Sequence, residues 1–280
     1  MTPQEFRAWE TKRITLLGMS GVGKTRLSSL LPRSKWYHYS GDYRIGSHYL
    51  DEAIRDNIKL QMMQVPFLRD LLRSDSIFIS NNISFHNLHP LSSFLGKVGN
   101  PNLGGIGLGD FQRRQQLHHD AEVRAMLDVP DFIRKAKEIY GYDHFINDAG
   151  GSLCELDEPQ VMETLARKTL VLYIRATSED EERLIERARS DPKPLYYRPD
   201  FLQKALDDYR AEFGNDYVAC IDPDNFTRWV FPRLFSDRIP RYEAIASKYG
   251  YSISSAEVMQ LKNDGDLLDL VTDAIARGEA

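Results

Sequence analysis

The stretch Gly18-Met19-Ser20-Gly21-Val22-Gly23-Lys24-Thr25 matches the pattern G-x-x-x-x-G-K-[ST] at every fixed position. The apolar run 13–18 leads into it, and apolar residues recur at helical spacing over 24–31. In a strand–loop–helix unit of this kind, successive backbone N–H groups point at phosphate oxygens, and the positive end of the helix dipole adds to the attraction. The stretch therefore predicts a phosphate-binding loop for a nucleotide.

The side chains of this loop have defined roles in such a site. Lys24 is expected to reach the β and γ phosphates, and the Thr25 hydroxyl is expected to bind Mg²⁺. ATP and Mg²⁺ are therefore the predicted cofactors. The candidate nucleotide-binding residues in this region are Gly18, Ser20, Gly21, Val22, Gly23, Lys24, Thr25 and Arg26.

Four further segments are predicted to be strands, namely 36–39, 144–148, 169–174 and 250–254. Helix-like sequence between strands favours parallel pairing with helices on both faces. The chain is therefore predicted to form an α/β fold with a doubly wound parallel sheet of the P-loop kinase type. Ligands of such sheets bind at the carboxyl ends of the strands, where Gly18, Asp42 and Asp148 fall.

The second and third strands are separated by about a hundred residues, which is too many for a simple crossover. We therefore expect a nucleotide-binding core of residues 1–44 and 141–280, with a large, mostly helical domain inserted at 45–140 that binds the substrate or a partner. A glycine-dense loop at 96–109 is expected to be either mobile or shaped around something. Within the insert, the sequence predicts amphipathic or helix-like segments at 50–73, 111–127 and 130–139 and a possible strand at 76–80.

The segment Ser40-Gly41-Asp42-Tyr43-Arg44 follows the second strand, close to the expected position of the phosphate-binding loop. A carboxylate there can take a proton from an acceptor hydroxyl or orient Mg²⁺ through water. Asp42 is therefore a candidate catalytic and substrate-binding residue, and Arg44 is a candidate for substrate binding. The structural alternative is an ordinary turn that caps the next helix.

Asp148 ends the third strand after an apolar run, as in a Walker B strand that holds the magnesium shell. It is a candidate catalytic and metal-binding residue, and the alternative is a polar strand terminus. Gly150 and Gly151 are candidate substrate residues because, without side chains, they would let a substrate approach the backbone closely.

Residues 178–200 combine a charged helix, containing Arg183, Arg187 and Arg189, with the loop Pro192-Lys193-Pro194. Mobile basic loops of kinases close over phosphates, so this segment is predicted to be a lid. Arg189 is a candidate catalytic residue and Lys193 a candidate substrate residue. The alternative is a solvated helix whose arginines pair with neighbouring glutamates.

Composition narrows the classes of function. The 36 basic and 41 acidic side chains give a net charge of −5, which argues against nucleic acid as a partner. No apolar run reaches the roughly 18 residues of a membrane span, and residues 1–13 lack a signal-peptide pattern, so no membrane partner and a cytoplasmic location are expected. Cys154 and Cys220 alone cannot form a zinc site. His86, His89 and the pair His118-His119 lack a third ligand at metal-binding spacing and are interpreted as surface or core histidines.

Several of these segments resemble known kinase families. The phosphate-binding loop followed by Ser40-Gly41-Asp42 resembles adenylate kinase. Gly150-Gly151, Pro194-Leu195 and the segment Arg238-Ile-Pro-Arg-Tyr242-Glu-Ala-Ile-Ala246 resemble shikimate kinase, with Lys193 in place of a lid arginine. The second resemblance implies that Arg238 lies near the adenine and belongs to the nucleotide site. Residues 45–140 have no counterpart in either family.

The patterns together predict an ATP- and Mg²⁺-dependent phosphotransferase that transfers the γ-phosphoryl group to an unidentified hydroxyl or phosphate acceptor, either a small molecule or a protein. The alternative is a regulatory P-loop ATPase whose insert binds a protein partner. A GTPase would need guanine selectivity, and the sequence contains no N-K-x-D segment for it.

Overall fold

A five-stranded, all-parallel sheet forms the core of the computed structural model, which describes residues 1–278. The strands lie in the order β2-β3-β1-β4-β5. Flanking helices connect them, so the predicted doubly wound α/β sheet is confirmed. The strands are β1 (Arg13–Leu17), β2 (Trp36–Ser40), β3 (His144–Asp148), β4 (Leu170–Arg175) and β5 (Gly250–Ser254).

Fourteen α-helices surround the sheet within residues 1–278, together with a π-helical turn at Ile45–Tyr49 and three short 3₁₀ turns. The α-helices are α1 (Pro3–Ala8), α2 (Lys24–Leu30), α3 (Gly41–Arg44), α4 (Asp51–Met62), α5 (Pro66–Arg73), α6 (His89–Leu95), α7 (Leu108–Leu127), α8 (Val129–Glu138), α9 (Pro159–Lys168), α10 (Ser178–Ser190), α11 (Pro199–Phe213), α12 (Pro223–Tyr249), α13 (Ser255–Gln260) and α14 (Asp264–Arg277).

The centre of the sheet is buried on both faces, and this explains its nearly continuous apolar sequence. Strands β1 and β4 pair in register, with Leu16 opposite Leu172, and both side chains are fully buried. Leu16 and Ser40 each pair with Asp148, so the carboxyl ends of β1, β2 and β3 lie level at one edge. The sheet therefore brings the loops that follow these three strands together.

The predicted strand at 76–80 is wrong. These residues are irregular and form no part of the sheet, and Phe78 is 90% exposed. An isolated apolar segment cannot form a strand without a neighbour to accept its backbone hydrogen bonds. The other predicted segments of the insert are helical as expected: 50–73 holds α4 and α5, and the two later segments are α7 and α8.

The glycine-dense loop at 96–109 packs against the protein's own backbone. Val98 pairs with Ile106, and the Asn100 N–H donates to the Ile221 carbonyl at 2.8 Å. A Cβ on Gly99, whose φ is +142°, would lie 2.5 Å from that same carbonyl oxygen, so the close approach requires glycine. Among residues 1–278, no helix is both long and apolar enough to cross a membrane.

Candidate functional site

The phosphate-binding loop connects β1 to α2 and is open to solvent at Ser20, Gly21 and Thr25. Gly21 has a φ of +95°, in the left-handed range that favours glycine. A Cβ there would lie 2.8 Å from Leu184 Cδ2 of α10, so the loop also lies under that helix. Val22 is fully buried beneath the loop and is therefore part of its packing.

Lys24 is buried at the start of α2. Its Nζ donates hydrogen bonds to the carbonyl oxygens of Gly18 at 2.6 Å and Met19 at 3.1 Å. The Tyr242 hydroxyl also donates to the Gly18 carbonyl, at 3.3 Å. Burial lowers the pKa of Lys24, and the negative charges of Asp148 and Asp42 oppose this effect. The ammonium group is thus poorly solvated, and an anion in the loop would relieve that cost.

The two candidate metal ligands are in direct contact. The Thr25 hydroxyl donates to Asp148 Oδ2 at 2.8 Å, and His38 Nε2 lies 3.9 Å from the same oxygen. A hydroxyl and a carboxylate suit Mg²⁺, which binds oxygen ligands and keeps several waters or phosphate oxygens in its shell. Within residues 1–278 there is no group of three His, Cys, Asp or Glu that could hold a metal by itself. The pair therefore fits a magnesium ion whose other ligands are phosphate oxygens and water.

Asp42 lies at the carboxyl end of β2, at the edge of a crevice beside the phosphate-binding loop. The Ser40 hydroxyl accepts a hydrogen bond from the Tyr43 N–H at 3.3 Å and so caps the short helix α3. The Ser-Gly-Asp segment thus forms the capping turn of the structural alternative and also directs Asp42 into the crevice. Loss of surrounding water raises the pKa of Asp42 to about 6, aided by the charge of Asp148 and opposed by Lys24.

Helix α7 brings Glu122 to the same place, although no sequence motif indicated it. Glu122 is fully buried, and its Oε2 accepts a hydrogen bond from the Ser152 hydroxyl at 2.6 Å. A Cβ on Gly150 would lie 2.5 Å from Glu122 Oε1 and 3.0 Å from Asp42 Oδ1, so the two carboxylates flank the same glycine. Burial raises the pKa of Glu122 to about 7.

His118 lies one turn before Glu122 and lines the crevice. It is 5% exposed, its ring stacks on Tyr196 with centroids 5.4 Å apart, and its Nδ1 lies 3.8 Å from Glu122 Oε2. Burial lowers the pKa of His118 to about 4, so the imidazole is neutral at pH 7. Among the described residues, His118 Nδ1 and Glu122 Oε1 are buried polar atoms without a hydrogen-bond partner.

Arg238 is buried on α12 and is already paired. Its Nε donates to Glu155 Oε2 at 3.0 Å, and its Nη2 contacts the same oxygen. The remaining donors reach the carbonyls of Gly151 at 3.0 Å and Tyr196 at 2.9 Å. Arg238 therefore joins the loop after β3 to the segment after α10, on the Asp42 side of the crevice. Its assignment to the nucleotide site, near the adenine, stays a prediction.

Helix α10 covers the phosphate-binding loop. Arg183 Nη2 donates to the Gly21 carbonyl at 3.2 Å, and the guanidinium nitrogens of Arg187 lie 3.3 Å from where a Cβ of Gly21 would be. Arg189, the candidate catalytic residue, is instead exposed and pairs with Glu186 at 3.5 Å. Lys193 lines the crevice at its rim and pairs with Asp191 at 3.3 Å. The lid assignment of 178–200 stays a prediction, with Arg183 in contact with the loop and Arg187 beside it.

Helix α7 holds the C-terminal part of the segment 178–200 in place. Gln115 Nε2 donates to the Leu195 carbonyl at 3.2 Å, and its Oε1 accepts from the Tyr197 N–H at 2.9 Å. Tyr196 and Tyr197 are buried, whereas Lys193 is exposed. Any movement of the lid would therefore involve α10 and the residues before Leu195.

Two predicted site residues lie away from the crevice. Arg44 donates to Asp128 Oδ2 at 2.8 Å and lies over the rings of Tyr49 and Phe132. Arg26 points along α2 and donates to the Met259 carbonyl at 3.0 Å. Gly151, in contrast, lies against the loop as expected, since a Cβ on it would be 3.0 Å from the Ser20 nitrogen.

These elements enclose a crevice of about 240 Å³ between the sheet edge, α10, α12 and the insert. Its polar side contains Asp42, His118, Gly151 and Ser152, and its apolar side contains Leu91, Leu95, Leu184 and Phe231. The apolar residues of α6 and the polar residues of α7 both come from the insert. A small molecule bound here would lie between the phosphate-binding loop and the insert.

Comparison with known proteins adds a fold-level similarity. No protein-family model matches the chain, and no curated protein matches it at a significant level. Among solved structures, the shikimate kinase of Bacteroides thetaiotaomicron is similar over 95% of each chain, with 14% identity and a TM-score of 0.36. Similarity at this level carries no information on substrate or mechanism, so the function is argued from the site itself.

Proposed function

We propose that this chain is an ATP- and Mg²⁺-dependent phosphotransferase that transfers the γ-phosphoryl group to a hydroxyl group of a small-molecule acceptor. The proposal is carried by one juxtaposition: a partly buried carboxylate, Asp42, lines a crevice beside the phosphate-binding loop. The nucleotide core is formed by residues 1–44 and 141–280, and the insert at 45–140 supplies the opposite wall for the acceptor.

The loop and Lys24 bind and orient the phosphates. Backbone N–H groups of the loop donate to phosphate oxygens, and the poorly solvated Lys24 ammonium neutralises their charge. Arg187 lies above Gly21 and adds a second positive charge on the solvent side of the loop. Thr25 and Asp148 would hold Mg²⁺, which when bound neutralises charge on the β and γ phosphates.

Asp42 is the proposed base on the acceptor side. The acceptor oxygen attacks the γ phosphorus, the bond from that phosphorus to the β–γ bridging oxygen breaks, and ADP leaves with the electron pair. The hydroxyl proton passes to Asp42. With its pKa raised to about 6, Asp42 is mostly ionised at pH 7 and more basic than an ordinary aspartate, as proton transfer requires.

The crevice also favours transfer to an acceptor over transfer to water. Its apolar wall and the cover provided by α10 reduce the room for solvent next to the loop. A regulatory ATPase has no need for a base in an enclosed pocket beside the γ-phosphate position. The geometry therefore favours the phosphotransferase over the alternative.

Substitution of Asp42 by asparagine tests this proposal. Asp42→Asn keeps the shape of the side chain and removes its basicity, so ATP affinity should stay within about threefold while phosphoryl transfer falls by about 10²- to 10⁴-fold. The assay is transfer of label from γ-labelled ATP to a small-molecule extract of cells, with the Kd of a non-hydrolysable ATP analogue measured in parallel. Asp56→Asn, an exposed carboxylate of α4, is the matched control.

Three other results would contradict the proposal. Equal losses of affinity and transfer would make Asp42 a nucleotide-holding or structural residue. Full activity of the variant would show that Ser40-Gly41-Asp42 serves only as a capping turn. Label released only as inorganic phosphate, with hydrolysis stimulated by a protein fraction, would indicate a regulatory ATPase.

A further inference from the structure

The wall of the crevice on the acceptor side contains polar side chains that the predicted motifs do not explain. The side chains that line it there are Asp42 and His118, with Ser152 beside them and Glu122 directly behind. A carboxylate accepts hydrogen bonds, a neutral imidazole has one acceptor and one donor nitrogen, and the Ser152 hydroxyl proton is already donated to Glu122. This wall therefore has more acceptors than donors, and Asp42 gives it negative charge.

Two buried polar atoms that lack a hydrogen-bond partner indicate a bound molecule. His118 Nδ1 and Glu122 Oε1 are shielded from solvent and have no hydrogen-bond partner among the described residues. Buried polar atoms of native proteins are nearly always satisfied, and each exception needs an explanation. A hydrogen-bonding ligand or ordered water beside His118, which lines the crevice, would supply it for that residue.

The positively charged side chains that line the crevice within residues 1–278 are paired with other groups or lie at its phosphate end. Four of the five N–H groups of Arg238 are in use, two on Glu155 Oε2 and one each on the carbonyls of Gly151 and Tyr196. Arg187 lies above Gly21, at the phosphate end. Lys193 is 66% exposed at the rim and pairs with Asp191. At the Asp42 end, the charge of Arg238 is therefore balanced by Glu155, while the Asp42 carboxylate would repel an anionic acceptor.

We propose that α7 supplies the acceptor-recognition residues of this crevice, with His118 lining it and Glu122 behind it, and that together with Asp42 they select a small hydroxyl-bearing acceptor without negative charge. This inference rests on the proposed phosphotransferase function and narrows its substrate class. His118 contacts the acceptor, and Glu122 is a positioning residue that holds Ser152 and, when ionised, adds negative charge behind the wall. The apolar residues Leu91, Leu95 and Phe231 receive the rest of the molecule.

A charge-sorted labelling experiment tests the substrate class. A small-molecule extract of the cells that naturally produce the protein is separated on an anion exchanger into a flow-through pool and a retained pool. The full chain is incubated with each pool, Mg²⁺ and γ-labelled ATP, and labelled organic products are separated from inorganic phosphate. We expect a labelled phosphate ester from the flow-through pool, and its treatment with phosphatase should regenerate a compound that the exchanger does not retain.

Two outcomes would overturn the inference, and they are distinguishable. A product formed only from the retained pool would leave the phosphotransferase intact but show that the acceptor is anionic. Label found only in inorganic phosphate or in protein with both pools would overturn the small-molecule phosphotransferase function and the inference together.

Variants of α7 test the assigned residues. His118→Gln and Glu122→Gln should each raise the amount of flow-through pool needed for half-maximal transfer by about 10-fold or more, because His118→Gln alters a direct contact to the acceptor and Glu122→Gln removes the charge behind the wall. The KM for ATP should change by less than about twofold. Asp120→Asn, an exposed carboxylate on the same helix, is the control and should change neither value. A parallel change in both KM values would indicate a merely structural role and contradict the assignment.

Discussion

The Thr25 hydroxyl donates a hydrogen bond to Asp148 Oδ2 at 2.8 Å, although 123 residues separate the two side chains in sequence. Thr25 is the second residue of α2 and Asp148 is the last residue of β3. Their contact thus joins the phosphate-binding loop to the neighbouring strand end. Two oxygen ligands suited to Mg²⁺ are held side by side by elements that the sheet itself aligns.

Loss of the Thr25 hydroxyl should affect the requirement for magnesium. Thr25→Ala is expected to raise the Mg²⁺ concentration at half-maximal ATP turnover by roughly 10- to 100-fold, on the scale of one lost contact to a charged group. Magnesium titrations of steady-state turnover measure this. Ser29→Ala on the same helix is the control, because its hydroxyl donates only to the Thr25 carbonyl. An unchanged magnesium requirement in Thr25→Ala would remove this residue from the metal site.

Two arginines of α10 should differ sharply in their contribution to turnover. Arg187→Ala should lower kcat/KM for ATP by about 10²- to 10³-fold, the usual effect of one preorganised charge in a phosphoryl-transfer site. Arg189→Ala should change it by less than about threefold, because Arg189 pairs with Glu186 at the surface. Steady-state kinetics of the two variants provide the comparison. A larger loss of kcat/KM in Arg189→Ala than in Arg187→Ala would mean that α10 rotates when the substrates bind.

Replacement of Glu122 should stabilise the fold at alkaline pH. Burial raises its pKa from an ordinary 4.5 to about 7, so the folded chain holds this proton more tightly than the unfolded chain. The contribution to stability is therefore fully present below about pH 4.5 and is lost as pH rises through about 7. Glu122→Gln should unfold with a free energy up to about 3 kcal/mol higher than wild type at pH 8, and with little difference near pH 4.5.

Urea unfolding of both proteins at the two pH values measures that difference. The glutamine keeps one oxygen for the Ser152 hydroxyl, and its amide nitrogen replaces Oε1, which has no hydrogen-bond partner among the described residues, so the substitution removes the buried charge without removing the contact to Ser152. A variant that is less stable than wild type at pH 8 would contradict the prediction. It would show that other groups of the folded protein stabilise the ionised Glu122 carboxylate and offset the cost of its burial.

Arg238 should be required for folding stability. Arg238→Met would leave the fully buried Glu155 without its main partner, at an expected cost of about 3–5 kcal/mol in the free energy of unfolding. Arg241→Met, which removes a partly exposed partner of Asp157, is the control and should cost less than about 1 kcal/mol. The double substitution Arg238→Met/Glu155→Leu should recover much of the loss. A single-variant cost below 1 kcal/mol would contradict the prediction.

The fold was predictable because its signals are local. Strands β1 and β4 contain compact apolar runs, and the phosphate-binding loop specifies the turn between β1 and α2 by its glycines. The strand predicted at 76–80 failed for the opposite reason, since a strand depends on a partner that sequence alone does not supply. Phe78 has the apolar character of a strand residue but no neighbouring strand, and it projects into solvent.

The site was predictable only where a motif marks it. Lys24, Thr25, Asp42 and Asp148 follow strands whose ends meet at one sheet edge. Glu122 and His118 come from the middle of a helix in the insert, where the pair His118-His119 was interpreted as surface or core histidine. Their i, i+4 spacing was the one local signal, and it could not reveal that Gly150 lies against Glu122.

The choice between Arg187 and Arg189 depended on helix rotation. Residues two apart in a helix point about 200° away from each other, so only one of them can face the loop. The sequence gives the periodicity of α10 but not its rotation about its own axis. That angle is set by the packing of Leu184 against Gly21, a contact between residues far apart in sequence.

Helix α7 spans twenty residues and connects three parts of the molecule: Gln115 fixes the segment after α10, His118 and Glu122 form the crevice wall, and the Ala125 carbonyl accepts a hydrogen bond from Tyr39 of β2. A shortened chain in which a brief connection replaces the insert would keep its phosphate-binding loop but lose the wall that faces it. Nucleotide use and acceptor choice are thus encoded in different stretches of the sequence. Acceptor preference could therefore diverge, in evolution or by design, through changes along a single helix while the chemistry at Lys24 stays the same.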